Sequence, residues 1–211
     1  MKIKMHLILG GLFLMSQVAT VQAAAQTLTV SATVPQATGI SITVTPVNAT
    51  TNVFGTPSTS ATTLPFGTLT YNAANGIYLP SQYFAIDLGS TGGAGSPIVA
   101  VTYVEGTNPN LVATNGLGTK TTATFALEQY TSPTTSPIET ISTLGKKRLI
   151  DLTGTAGEVA TIPSGDWERV YVGVWTGSTT APADPSNGKP FVNTDNAGTY
   201  TGTLTFTVVT L

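Results

Sequence analysis

Thr27-Leu28-Thr29-Val30-Ser31-Ala32-Thr33-Val34, closed by Pro35, is the stretch that decides the fold. Leu28, Val30, Ala32 and Val34 alternate with Thr27, Thr29, Ser31 and Thr33. A period of two places the four apolar side chains on one face of an extended strand. The far end of the chain repeats the pattern. Over residues 200–208, Tyr200, Leu204, Phe206 and Val208 alternate with Thr201, Thr203, Thr205 and Thr207, and Gly202 falls on the apolar face. Both ends therefore read as strands with one apolar face and one threonine face. Two readings follow. They are two ordinary strands of a β-sandwich, or the first strand serves a neighbouring copy and the last borders the groove that receives it.

Residues 1–23 are set apart from the fold. Lys2 and Lys4 make a basic start, residues 7–15 an apolar run, and Val21-Gln22-Ala23 a small-residue end. This is the layout of a secretory signal peptide, with cleavage expected after Ala23. The apolar run is shorter than the ~20 residues of a membrane-spanning helix. Without the leader about 188 of the 211 residues remain, enough for one β domain with its own core. The single histidine, His6, and all three methionines leave with it. So do Lys2 and Lys4, which reduces the eight basic residues to six against ten acidic ones. That balance gives no footprint for nucleic acid and no polybasic membrane patch. The chain has no cysteine, so no disulfide can complete a core that sheet packing leaves open.

Between the two ends, period-two or β-branched runs occupy residues 40–45, 64–71, 82–88, 98–104, 123–130 and 166–175, separated by Gly, Pro and Asn clusters. Residues 138–152 have room for one or two short strands, and 177–198 read as a long polar loop. In the run ending at Trp175, Trp167, Arg169, Tyr171, Gly173 and Trp175 share one face, with Glu168, Val170, Val172 and Val174 on the other. No stretch sustains a period of 3.6. The expectation is an all-β sandwich with little helix.

Catalytic chemistry is sparsely provided for. Once His6 is removed, no Ser-His-Asp triad, cysteine nucleophile or His/Cys zinc site can be assembled. Asp166 and Glu168 are spaced to share a strand face as a carboxylate pair, though charged residues at a strand start explain them as well. Trp167 and Trp175 suit either sugar stacking or packing in a core or interface. Lys146-Lys147-Arg148 suits an anionic receptor or, more simply, the protection of a sheet edge. No phosphate-binding, dinucleotide-binding or calcium-binding loop is present. The expectation is a protein that is not an enzyme and has no cofactor and no metal.

The two ends and the middle together resemble the major shaft subunits of chaperone–usher fimbriae, above all the class 5 colonisation-factor (alpha-type) pilins. The residues that carry the resemblance are Leu28-Thr29-Val30-Ser31-Ala32-Thr33-Val34-Pro35, the blocks 82–88, 97–104 and 108–112, and the ending from Ala197 to Val208. Within that ending, Gly198-Thr199-Tyr200-Thr201-Gly202-Thr203-Leu204 is the most specific part. The absence of cysteine also fits these pilins.

The resemblance implies an immunoglobulin-like sandwich that lacks its final strand until a donor strand completes it. Residues 24–35 would be the donor segment and 36–211 the pilin domain. Leu28, Val30, Ala32 and Val34 would be the donor plugs. Tyr200, Leu204, Phe206 and Val208 would form the groove edge and the chaperone contact. The implied partners are copies of the chain in a filament, a periplasmic chaperone, an outer-membrane usher, a tip adhesin and a host glycan or protein receptor. The implied location is a surface fimbria reached through the periplasm, serving cell adhesion. The other reading is a fimbrial adhesin or secreted carbohydrate-binding sandwich built on Trp167, Trp175 and the loop over 177–198.

Overall fold

The computed structural model describes residues 26–33, 40–90, 98–106, 116–130, 141–152, 158–162, 167–177, 188–195 and 198–210. Residues 1–23, Val34, residues 108–112 and Asp166 lie outside them. The strands are β1 (Gln26–Thr33), β2 (Ile40–Asn48), β3 (Thr63–Asn72), β4 (Ile77–Leu79), β5 (Gln82–Ser90) and β6 (Ile98–Glu105). They continue with β7 (Thr121–Tyr130), β8 (Ile141–Arg148), β9 (Glu158–Thr161), β10 (Trp167–Val174), β11 (Phe191–Val192), β12 (Thr199–Tyr200) and β13 (Gly202–Thr210). One helical turn, α1 (Leu117–Lys120), precedes β7.

The strands form two sheets, as the alternating patterns require. The larger runs in the order β11-β4-β3-β1-β13-β6-β9, with β12 also paired to β1. The smaller runs β2-β5-β10-β7-β8. The protein is an all-β sandwich. Alternation turns one face of each sheet inward, and that burial is the main stabilising term. From the smaller sheet Phe84, Ile86, Leu88, Val170, Val172 and Val174 enter the shared core; from the larger, Leu64, Phe66, Val99, Val101, Leu204 and Phe206 do so. On the outer face of the smaller sheet Val47, Tyr83, Ala85 and Tyr171 form a second, small cluster against Ala49 and Phe54. The loop after β2 covers this face. Its Ser58 exchanges two backbone hydrogen bonds with Val44, at 2.8 and 2.9 Å, and Gly55 N–H donates to Pro46 O at 2.8 Å.

The resemblance implies a sandwich short of one strand beside the last. Beside the last strand of this chain, between β3 and β13, stands its own β1. The segment over 138–152 resolves into β8 and a short 3-10 turn over Leu149–Asp151. The basic run ends β8, one of the two edge strands of the smaller sheet. Arg148 is held by Asp151, Nη2 to Oδ1 at 2.6 Å and Nε to Oδ2 at 2.9 Å. Charge on an outer strand opposes edge-to-edge pairing.

Candidate functional site

The candidate site is the strand position between β3 and β13. Gly202, Leu204 and Phe206 are buried while Thr203 and Thr205 are partly exposed and Thr207 is exposed, so β13 keeps the period of two expected of it. Tyr200, on β12, is also buried, with its ring edge-on to Phe191 at 4.9 Å between centroids. Gly202 interrupts the apolar row because Tyr103 of β6 fills the space a side chain would need. Val208 belongs to the same strand and is in register with Val99.

The opposite wall is β3. Leu64 and Phe66 are buried, then the inward parity flips and Leu69 is buried. The flip occurs at Gly67, whose φ is +73°, a left-handed conformation that glycine adopts at no steric cost. The backbone register with β1 shifts at the same point: Leu28 lies opposite Gly67 and Thr29 opposite Pro65, leaving Phe66 without a partner. This is a β-bulge, which inserts one residue and bends the strand.

β1 lies antiparallel to β3 and parallel to β12 and β13. Leu28 is in register with Tyr200, Ser31 with Thr203 and Ala32 with Leu204 on one side, and Val30 with Leu64 on the other. The sequence-predicted donor and acceptor rows are therefore neighbours in one sheet. Both ladders of β1 lapse near its middle. On the β3 side Pro65 has no N–H to give, and Gln82 Nε2 donates to its carbonyl at 2.6 Å. On the β13 side the pairing lapses between Leu28–Tyr200 and Ser31–Thr203 with the register unchanged, and Thr201 O accepts from Gly106 N–H at 2.9 Å.

β1 is the only connection between β3 and β13 in the larger sheet among the described residues. With β1 withdrawn, that sheet would separate into β11-β4-β3 and β13-β6-β9. Strands are ~4.8 Å apart, so the gap would be ~10 Å wide and lined by unpaired N–H and C=O groups on both edges. Such a gap is shaped for one extended segment, which backbone hydrogen bonds hold and alternate side chains select.

The end of the slot near Tyr200 is braced by a cluster that the sequence did not announce. Lys120, at the end of α1, donates from Nζ to Asp195 Oδ2 at 2.6 Å and to Pro190 O at 2.9 Å. Asp195 Oδ2 also accepts from Val192 N–H at 2.7 Å, fixing β11 beside β4. The Lys120 ammonium lies 5.2 Å from the centre of the Phe191 ring. Burial, with the Asp195 charge nearby, pushes the Tyr200 hydroxyl up to about 12. A phenol so placed stays neutral at any ordinary pH.

The remaining candidates fall elsewhere. Trp167 stacks on Gly89, where an added Cβ would meet ring carbons at 2.6 to 2.7 Å, and Trp175 covers Gly188 in the same way. Glu168 faces inward on the side of Val170 and is buried, while Arg169 faces outward and pairs with Asp87. Phe191 lies in a two-residue strand, Lys120 in a single helical turn and Asp195 in a loop, and none of these has a period to reveal it in the sequence. Comparison of the chain with protein-family models, with curated proteins and with solved structures finds no match.

Proposed function

We propose that the chain is the structural subunit of a bacterial surface fimbria, polymerised by exchange of its first strand between copies. The observation that carries this reading is the position of β1: a strand near the chain's start is the sole link between β3 and β13 among the described residues. A segment that can leave without unthreading the rest of the sandwich can be given to a neighbour. Leu28, Val30, Ala32 and Val34 are the donor side chains. Tyr200, Leu204, Phe206 and Val208 border the receiving slot. The contact is head-to-tail, so repetition extends a filament rather than closing a ring. A periplasmic chaperone guards the slot after export, and an outer-membrane usher passes subunits to the growing fibre. No cofactor is called for. Trp167 and Trp175, each laid against a glycine, serve packing in this reading.

The test mixes two fluorescently labelled batches of the exported chain and follows energy transfer and filament growth by electron microscopy. Mixed filaments are expected, and a synthetic peptide of residues 26–34 should slow their growth. Particles that stay monomeric and never share label at any concentration would refute strand exchange.

A further inference from the structure

We infer that the free subunit caps its own assembly slot, so that release of β1 gates entry of a second copy's strand. The inference rests on the strand-exchange reading and adds a regulated closed state to it. Three observations support it. First, β1 is already seated between β3 and β13 of its own chain, in register from Leu28–Tyr200 to Thr33–Thr205. Second, six residues separate Thr33 from Ile40, the first residue of β2. A tether that short keeps β1 near the slot at an effective concentration in the millimolar range. A strand from another copy at micromolar concentration competes poorly until β1 is drawn out. Third, the seating is interrupted partway along the strand. The bulge at Gly67, the missing N–H of Pro65 and the gap in pairing opposite Thr201 all meet the middle of β1. The closed state is held by two short ladders on the β12 and β13 side and by one bulged ladder on the β3 side, which lowers the barrier to peeling.

The closed state keeps the subunit from aggregating. An open slot exposes apolar side chains and two unpaired strand edges, the features that drive aggregation. A self-capped chain hides both until a partner engages it.

The test uses the absence of native cysteine. Ser31 and Thr203 are in register on adjacent strands, within disulfide reach once both are changed to cysteine. The double variant Ser31→Cys/Thr203→Cys is exported, purified at high dilution and oxidised. The expected product is a monomer with an intrachain disulfide, identified by peptide mass mapping. Thr27→Cys/Thr203→Cys, four residues out of register, should not close within the chain. In the locked monomer, uptake of a labelled peptide of residues 26–34 should fall roughly 10²-fold, and reduction should restore it.

Disulfide ladders between chains at high dilution, with no intrachain product, would overturn self-capping while leaving strand exchange standing. An intrachain link that leaves peptide uptake unchanged overturns it too. If the reduced and unsubstituted chains neither take up peptide nor assemble, strand exchange itself fails, and the gate fails with it. Hydrogen exchange on the unsubstituted dilute monomer covers the case in which the variants do not fold. Slow exchange of the amides from Thr27 to Thr33 is expected, and fast exchange there overturns the closed state.

Discussion

Gly202 lies against the ring of Tyr103: a Cβ on the glycine would stand 2.1 Å from the tyrosine Oη and 2.5 Å from two ring carbons. Tyr103 is buried at 3% exposure on β6, the strand beside β13, so its ring cannot swing into solvent. The glycine in the middle of an otherwise apolar row is therefore a packing requirement. Gly202→Ala should cost roughly 1–3 kcal/mol through overpacking. For a domain of this size that is a fall of about 2–10 °C in Tm. Adding Tyr103→Phe, which removes the closest atom, should recover part of the loss. Thermal unfolding of the three variants checks this. An unchanged Tm for Gly202→Ala would show that the two strands separate more easily than their packing implies.

Glu168 gives the fold a pH dependence. It is 3% exposed, on the inward face of β10 two residues before Val170. Its Oε1 has no hydrogen-bond partner among the described residues. Burial alone pushes its carboxyl from an ordinary 4.5 up to about 8. Below the ordinary value both folded and unfolded chains hold the proton. Between there and about 8 the unfolded chain releases it and the folded chain keeps it, so stability falls as pH rises through that window. Above it the loss is complete, on the order of 5 kcal/mol. Glu168→Gln should flatten this slope and leave a variant more stable than the parent at pH 8. Urea unfolding at pH 5 and pH 8 tests it: parallel pH dependence in parent and variant would place the slope elsewhere.

Asp87 and Arg169 form a buried bidentate pair, Nε to Oδ1 at 2.6 Å and Nη2 to Oδ2 at 2.9 Å, under the loop that carries Phe54. Their side chains are 1% and 0% exposed. Asp87 feels two opposed influences: burial raises its pKa, and the guanidinium hydrogen bond and charge lower it. Removing one partner strands the other. Asp87→Asn should cost about 3–5 kcal/mol, whereas Asp87→Leu with Arg169→Met should cost less than the sum of the single changes. A double-mutant cycle by urea denaturation measures the coupling. Strictly additive losses would mean that the pair contributes shape rather than charge.

The parts of the fold legible in the sequence are those with two-faced strands. Phe84, Ile86 and Leu88 enter the core and Tyr83, Ala85 and Asp87 the outer face, because a strand buried on one side must alternate. The run through Trp167 and Trp175 divides its faces as its parity dictates. β3 reads less cleanly, since the bulge at Gly67 shifts Leu69 onto the face that Leu64 and Phe66 occupy. β11 is two residues long and carries no period. Lys120 and Asp195 are 75 positions apart, and nothing local ties them. The pattern of β1 marks a strand with one apolar face, but a period of two names no partner. It fits the chain's own slot and a neighbour's equally well, so occupancy had to come from the structure.

Alternation along β1 makes the sharpest demand on the proposed slot. Val30 is in register with buried Leu64, whereas Thr29, one residue earlier, belongs to the threonine row. Burying a valine side chain is worth ~1.5–3 kcal/mol, and an unpaired carboxylate in the same place costs several more. Against a domain stability of ~5–15 kcal/mol, Val30→Asp is enough to expel β1 from the slot. Thr29→Asp and Ser31→Asp keep their charge on the polar row and should be nearly neutral. Val30→Asp should therefore give a chain whose first-strand amides exchange rapidly and which cannot donate to another copy. Its slot should still accept a peptide of residues 26–34 with the parent sequence, because β3 and β13 are unchanged. Thr29→Asp should retain protection and assembly. Hydrogen exchange, peptide uptake and filament counts on the three variants separate the outcomes. Equal effects from Val30→Asp and Thr29→Asp would mean that β1 is not held by one apolar face, and a Val30→Asp chain that still donates would rule out this segment as the exchanged strand.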